Sequence, residues 1–375
     1  MKKSEVNYYM DNYIILLNDS NHLDDFKNYL NKNNISLKFS SDDSLIFIIE
    51  TTSKGITLIK SLAYVSIITK DFRYSLSKPI DDFKRIKDAM ESRTLKVEKN
   101  SISSYKNWGL DAVSAPCLWA RHITGSKINV AILDSGVSRH GDFTIKKSVS
   151  FVEGETPEDK NGHGTFVAGI ICSKNSRLNS FGVSYDCNLF SVKVLNNSGS
   201  GQLFSLIEGI IWCGDNNIQV ANMSLGFNVE LDSRSITLLE SAIDYSNSKG
   251  CIFVAASGNE SSDTLDYPAA INSVISVGAI NSSYEREEFS NYGPGLDYVA
   301  PGSNIFSTYL NNSYAIASGT SMSAPHVTGL IALLLSEDPS RTQEDIKSIL
   351  TTHSIDLGDI GYDLKYGNGL VSIPC

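Results

Sequence analysis

Hydrophobic and polar positions follow two different patterns along this chain, and the change falls near residue 103. Between residues 13 and 76 the pattern predicts a strand, an amphipathic helix, two strands, a second helix and a last strand. Leu23, Phe26 and Leu30 give the first helix one apolar face. The order β-α-β-β-α-β is the ferredoxin-like split arrangement, so this region predicts a small α+β domain.

From about residue 103 onward, continuous apolar strands alternate with helices. The predicted strands are KINVAILD, NLFSVKVL, VANMSLG, CIFVAAS and SVISVGAI, and the predicted helices include HGTFVAGIIC, LFSLIEGIIWCGDN and SITLLESAIDYSNSKG. Strands that are apolar on both faces are typical of a parallel sheet. We therefore expect a doubly wound, mainly parallel α/β fold with helices on both faces. Its reactive residues would gather beyond the carboxyl ends of the strands.

These patterns divide the chain into three parts. Residues 1–76 form the small domain, residues 77–102 a highly charged linker with a short helix at IDDFKRIKDAMES as one interpretation, and residues 103–375 the large domain. The first 102 residues hold 16 basic and 14 acidic residues, so the remainder of this chain of net charge −10 carries −12. Such an acidic surface argues against a nucleic-acid partner and favours basic ligands.

The sequence also indicates where the protein would be found. No run of about 18 apolar residues occurs, so we expect no membrane span. The N-terminal stretch MKKSEVNYYMDNYIILLND has too short an apolar core for a secretory signal, which predicts a cytoplasmic protein, with export by another route left open. Free, reduced thiols are then expected at all six cysteines: Cys117, Cys172, Cys187, Cys213, Cys251 and Cys375.

Three segments carry residues suited to nucleophilic catalysis. AILDSGVSRHGDF places Asp134 at the exit of a strand, NGHGTFVAG places His163 at the start of a helix, and GTSMSAPHVTG does the same for Ser321. A serine hydroxyl needs a base, and the base needs an acidic partner. Each residue has a plainer interpretation, as a turn former, a helix-start histidine and a helix N-cap. His140 and His326 are further candidates for the base.

In the order and the residues of these segments, the chain resembles the subtilisin-like serine peptidases over nearly all of residues 103–375. The segments that carry the resemblance are VAILDSGV, NGHGTFVAG, VANMSLG, VAASGNE, SVGAI, VAPG and GTSMSAPHVTG. The resemblance implies a triad of Asp134, His163 and Ser321, with Asn259 as a donor to the oxyanion. It also implies that a peptide or protein substrate pairs with the strand at Ser224, Leu225 and Gly226.

The same resemblance implies that residues 1–76 are an inhibitory pro-domain, the protein's own partner until it is cleaved off. We expect that cut between about residues 77 and 104, where Arg93, Lys96 and Lys99 are candidates. For specificity, Gly258, Glu260 and Asp266 are expected to line the main pocket. A carboxylate at Asp266 would favour Lys or Arg before the cleaved bond, unless Asp266 only starts a turn.

One departure from the family concerns calcium. Asp142 matches a carboxylate of the family's calcium site, whereas Lys174, Ser176 and Arg177 occupy a loop that is normally rich in Asn. The chemistry requires no cofactor, and a structural calcium ion at Asp142 stays an open alternative.

The function predicted on this basis is a serine endopeptidase made as an autoinhibited zymogen. A catalytically silent, regulatory or peptide-binding relative is the alternative, although intact candidates at all four catalytic positions argue against it. A lipase or esterase would have the motif G-x-S-x-G and the order Ser, Asp, His, and this chain has neither at Ser321.

Overall fold

A computed structural model describes residues 10–75, 84–85, 108–175, 180–227 and 231–375 of the chain. Nearly all of the predicted linker, with the candidate processing sites, lies outside the described residues. The exception is Lys84–Arg85, which forms a short strand paired with Ala315 and Ile316. The helix interpreted across this point is therefore wrong at these two residues, because a neighbouring strand supplies their backbone partners.

The N-terminal region has the predicted β-α-β-β-α-β order, and its sheet is antiparallel with strand order β2-β3-β1-β4. Its elements are β1 (Asp11–Leu17), a 3₁₀ turn (Ser20–His22), α1 (Leu23–Lys32), β2 (Ser36–Ser41), β3 (Ile46–Thr51), α2 (Ser53–Ile59) and β4 (Val65–Lys70). Helix α2 ends at Ile59, before the end of the segment GITLIKSLAYV that predicts it. Beyond this point the N–H groups of Ser61 and Leu62 bond to carbonyls only three residues earlier, as in a 3₁₀ turn.

The large region is an α/β fold built on a sheet of seven parallel strands. The elements that follow β4 are β5 (Arg73–Ser75), β6 (Lys84–Arg85), α3 (Trp108–Ala112), α4 (Ala115–Ala120), β7 (Asn129–Asp134), β8 (Ile145–Ser150), α5 (His163–Cys172), β9 (Lys174–Asn175), β10 (Ser180–Phe181), β11 (Asn188–Lys193), β12 (Ser200–Gln202), α6 (Leu203–Asp215), β13 (Val220–Met223), α7 (Ser233–Ser248), β14 (Ile252–Ala256), β15 (Ile275–Ile280), β16 (Tyr298–Pro301), β17 (Ile305–Tyr309), β18 (Ser313–Ala317), α8 (Thr320–Glu337) and α9 (Gln343–His353). The seven parallel strands lie in the order β16-β15-β14-β13-β7-β11-β8, which confirms the predicted parallel sheet.

Alternation along the central strands distributes side chains to two cores. Val130 and Ile132 face the core that includes α5 and α8, whereas Ala131 and Leu133 face the core that includes α6 and α7. Both faces are therefore covered, as the continuous apolar strands predict. The carboxyl ends of β7, β13 and β14 come together at one edge of the sheet, because adjacent strands run parallel.

The N-terminal sheet packs its second face onto the large region. In β3, Phe47 and Ile49 pack with the region's own helices, while Ile46 and Ile48 join the core of α6 and α7. This two-sided burial explains why four consecutive residues of β3 are buried. The hydroxyls of Thr69 and of Ser235, a residue of α7, add a polar contact.

The cysteines do not all behave as expected. Cys117, in α4, forms a disulfide with Cys375 across 258 residues of sequence, so the prediction of six free thiols is wrong. The other four cysteines are reduced, and three of them are buried. The bond fixes the C-terminal residues beside α4, where the hydroxyls of Ser114 and Ser372 also pair at 2.8 Å.

Candidate active site

Asp134 and His163 form a buried acid–imidazole pair. Asp134 is the last residue of β7 and His163 is the first of α5, and both are almost fully shielded from solvent. Nδ1 of His163 lies 2.8 Å from each carboxylate oxygen of Asp134. Burial opposes the charged imidazolium, but the charge and hydrogen bond of Asp134, with a contribution from Asp159, raise the pKa of His163. The contact fixes the tautomer with the proton on Nδ1, so that Nε2 carries the lone pair that can accept a proton.

Asp159 supports this pair and was missed by the sequence analysis. Its buried carboxylate accepts the backbone N–H groups of Gly162 and Thr165 at 2.9 and 3.0 Å, which caps the first turn of α5. It also accepts the hydroxyl of Ser135 at 3.0 Å. Burial raises the pKa of Asp159, although these hydrogen bonds oppose the increase. A sequence signal existed, because an Asp three residues before a helix-start Gly suits capping.

Lys193 is a second supporting residue that sequence reasoning did not single out. Its side chain is fully buried, and Nζ donates to the carbonyls of Ser135 and Leu195 at 2.6 and 2.8 Å. Glu155 provides the counter-charge at 3.2 Å. Lys193 therefore holds the backbone directly after Asp134 in place. Its buried charge is paired with Glu155, because an unpaired buried charge is costly.

Ser321 lies in the first turn of α8, a helix that packs against α5. Its hydroxyl donates to the carbonyl of Ser224 at 3.2 Å, and the Ser224 hydroxyl donates to the Ser321 carbonyl at 2.7 Å. Asn222 in turn donates to the Ser224 hydroxyl at 2.8 Å. Ser321 is thus joined to the residue after β13 through both its hydroxyl and its carbonyl. Its side chain lies at a helix N-terminus, where negative charge is favoured.

Asn259 follows β14 at the same edge of the sheet, and its amide orientation is fixed. Oδ1 accepts both the backbone N–H and the hydroxyl of Thr320, each at 2.9 Å. The amide oxygen is therefore engaged, and the Nδ2 end of the amide is the donor. Thr320 was not a candidate in the sequence analysis, since its role depends on a contact across 61 residues.

The residues expected to line the specificity pocket come together. Oδ2 of Asp266 lies between Gly226 and Gly258, since a Cβ atom added to either glycine would be 2.6 or 2.8 Å from this oxygen. Oδ2 is buried and has no hydrogen-bond partner among the described residues. Burial first, and then Glu260, raise the pKa of Asp266 to about 8. An unpaired carboxyl oxygen in such a slot is suited to a cationic partner.

The strand β5 of the N-terminal region pairs antiparallel with β12, one edge of the large region. Tyr74 pairs with Gly201, and its buried ring lies 4.4 Å from the ring of Phe227 in a cluster that also includes Leu225. Side chains on a β-augmenting segment enter pockets in this way. Asp71, just before β5, accepts the N–H of Phe204 at the start of α6.

Asp142 lies apart from these residues, and hydrogen-bond donors surround its carboxylate; Ser176 and Arg177, the other residues considered for a calcium site, lie outside the described residues. Its carboxylate accepts from Ser173 Oγ at 3.0 Å, Asn175 Nδ2 at 2.9 Å and the Tyr314 hydroxyl at 2.8 Å. A hard cation would need these carboxylate oxygens as ligands, and both already accept hydrogen bonds. In the part of the chain that the structure describes, no group of three or more His, Cys, Asp or Glu could hold a metal ion.

The two other candidate bases have structural partners elsewhere. His140 contacts the carbonyl of Ser313 at 3.1 Å, close to Asp142. His326 is buried within α8 against the carbonyl of Met322, and burial lowers its pKa to about 4. The geometry therefore selects His163, which alone of the three is paired with Asp134.

A parallel α/β fold with an Asp–His pair and a helix-start serine at one sheet edge is the arrangement of a serine hydrolase. Residues 125–369 match the family model described as the subtilase family, so the chain belongs to that family and is a subtilisin-like serine endopeptidase. It is 43% identical over 266 residues to subtilisin Savinase of Lederbergia lenta, covering 71% of this chain and 96% of that protein. The M-protease of Shouchella clausii (strain KSM-K16) is 42% identical over 276 residues, or 73% of this chain and 70% of that protein.

These relatives contradict the cytoplasmic location expected from the N-terminus. They include the minor extracellular protease Epr of Bacillus subtilis (strain 168), 36% identical over 286 residues, which cover 76% of this chain and 44% of that protein. The expectation was wrong because it relied on the apolar length of one short segment. Among the described helices, none combines the length and the apolar character that crossing a bilayer requires.

Proposed function

We propose that this protein hydrolyses peptide bonds through an acyl-enzyme on Ser321. His163 takes the proton of the Ser321 hydroxyl as Oγ attacks the substrate carbonyl, and Asp134 stabilises the imidazolium that forms. The imidazolium then gives its proton to the leaving amine. Water, deprotonated by His163, releases the acyl group and regenerates the serine. The observation that carries this proposal is the buried 2.8 Å contact between Asp134 and His163.

The oxyanion of the tetrahedral intermediate would be held by Nδ2 of Asn259 and the backbone N–H of Ser321. Support comes from the engagement of the Asn259 amide oxygen by Thr320, which leaves the NH₂ end as the available donor. A donor fixed before the reaction stabilises charge without reorganising. Ser224, Leu225 and Gly226 would pair with the substrate backbone.

The pocket is proposed to prefer Lys or Arg before the cleaved bond. The support is the unpaired Oδ2 of Asp266 between Gly226 and Gly258, together with the neighbouring carboxyl of Glu260. A basic side chain would supply the partner that this oxygen lacks.

The N-terminal region is proposed to inhibit the enzyme until it is cut off. Its support is the pairing of β5 with β12 and the burial of Tyr74 beside Leu225, because both occupy surface that a substrate would use. Cleavage between residues 77 and 104 would release that region. The bond itself lies outside the described residues.

Peptide hydrolysis by the full-length protein separates this proposal from a silent relative. We expect turnover of a peptide substrate and conversion of the chain to a shorter form, both abolished in Ser321→Ala. Ser323→Ala is the matched control, because Ser323 is on the same helix and its hydroxyl has no partner among the described residues. Equal processing of wild type and Ser321→Ala, with no turnover by either, would favour the silent, peptide-binding alternative.

A further inference from the structure

The specificity pocket contains a pair of carboxyl groups that a single buried residue holds together. The carboxyl groups of Asp266 and Glu260 meet at one nitrogen atom, because both accept a hydrogen bond from the side-chain amide of Asn291. Nδ2 of Asn291 donates to Glu260 Oε2 at 3.0 Å and to Asp266 Oδ1 at 3.3 Å. Asn291 is fully buried, and its Oδ1 accepts the backbone N–H of Glu260 at 2.9 Å. Asn291 therefore holds both carboxyl groups against one buried side chain.

One oxygen of this pair, Oδ2 of Asp266, has no hydrogen-bond partner among the described residues. Two carboxylates offer only acceptors, whereas a protonated carboxyl can donate to its neighbour. Burial and the nearby Glu260 raise the pKa of Asp266 to about 8, so that the pair keeps one proton near neutral pH. Among the described residues, Glu260 is the titratable group that acts on Asp266, and the Asp266 carboxyl also lies against Asn291, Gly226 and Gly258.

We propose that this shared proton couples substrate selectivity to pH, so that the preference for basic residues before the cleaved bond increases as the solution becomes more alkaline. The inference rests on the proposed function, since it concerns the same pocket. A Lys or Arg side chain enters as a cation, and the carboxyl pair gives one proton to the solvent. Two carboxylates then face one cation. A neutral side chain leaves the proton in place.

The direction of the effect follows from proton linkage. Below pH 8 a basic substrate must release a proton to bind, so its kcat/KM relative to a neutral substrate increases with pH, by up to about tenfold per unit. Above pH 8 the pair is already doubly charged and the ratio levels off. The titration of His163 affects both substrates alike, so it cancels in the ratio.

The test compares two peptides that differ only in having Arg or Leu before the cleaved bond. Self-processed wild-type enzyme is assayed from pH 6 to pH 10 at constant ionic strength. We expect the Arg/Leu ratio of kcat/KM to increase at least about tenfold and then level off. In Asp266→Asn one carboxylate is left and the ratio should not vary with pH. Asp263→Asn, which removes an exposed carboxylate of the same loop, should behave as wild type.

The outcomes distinguish this inference from the proposed function. A constant preference for Arg in the wild type would overturn the shared proton and leave the basic specificity intact. Equal use of Arg and Leu at every pH would overturn both. If Asp266→Asn fails to fold, inhibition of the wild type by benzamidine gives the same information. Its inhibition constant should decrease as the pH increases toward 8, and a constant value contradicts the proposal.

Discussion

Replacing Thr320 by Val tests whether the orientation of Asn259 contributes to catalysis. Thr320 is fully buried, and its hydroxyl and its backbone N–H each reach Asn259 Oδ1 at 2.9 Å. Valine keeps the shape and the backbone bond but removes the hydroxyl. One net hydrogen bond is worth about 0.5–1.5 kcal/mol. If this hydrogen bond stabilises the transition state and not the bound substrate, its removal lowers kcat about twofold to tenfold with KM nearly unchanged.

A double-mutant cycle shows whether the loss acts through Asn259. Asn259→Ala is expected to lower kcat by about 10² to 10³, a range that comes from subtilisin, a member of this family, and not from the present geometry. In the Asn259→Ala background, Thr320→Val should cause no further loss, because there is no amide left to orient. The assay is steady-state hydrolysis of one neutral peptide by the four proteins. Ser323→Ala serves as the helix control.

The melting temperature of each variant must be measured as well, because the Thr320 hydroxyl also contacts the carbonyl of Gly258 at 3.2 Å. A stability loss alone would change the fraction of folded enzyme and not kcat per folded molecule. The reasoning is refuted if Thr320→Val lowers kcat by the same factor with and without Asn259.

Three further predictions concern pH, the disulfide and calcium. The pKa of His163 is raised and the base must be neutral, so kcat/KM for a neutral peptide should increase with pH with a midpoint above 6.5; a lower midpoint would contradict the role of Asp134. Replacing Cys117 and Cys375 together by Ser should lower the free energy of unfolding by about 2–5 kcal/mol, measured by denaturant titration, and an unchanged value would show that the bond is dispensable. A chelator should leave the melting temperature unchanged, since hydrogen-bond donors surround Asp142; a decrease that is absent from Asp142→Asn would reveal a cation there.

The sequence predicted best what is carried by short, continuous segments. Asp134, His163 and Ser321 each lie in a segment with an apolar run. The run predicts the strand or helix, and each residue lies where that strand ends or that helix begins. The parallel sheet followed from strands that are apolar on both faces. The N-terminal α+β order was predicted as well, since each of its elements has its own period.

Contacts between distant segments were beyond the reach of the sequence. Asn291 clamps Glu260 and Asp266 from 31 and 25 residues away, and no local period marks it. Tyr314 donates a hydrogen bond to Asp142 across 172 residues, and no local pattern marks that contact. The partner of Cys117 could not be chosen from spacing, because six cysteines allow many pairings. Such contacts depend on how the elements pack, which local patterns do not specify.

Stoichiometric labelling tests the central claim, a nucleophilic Ser321, most directly. Each protein is produced from the full-length chain and treated with a serine-reactive fluorophosphonate, whether or not it has processed itself, and the modified peptide is located by mass spectrometry. The account predicts one adduct per molecule on Ser321, formed in Ser323→Ala and absent from Ser321→Ala. Labelling at another serine, or equal labelling of wild type and Ser321→Ala, would contradict it.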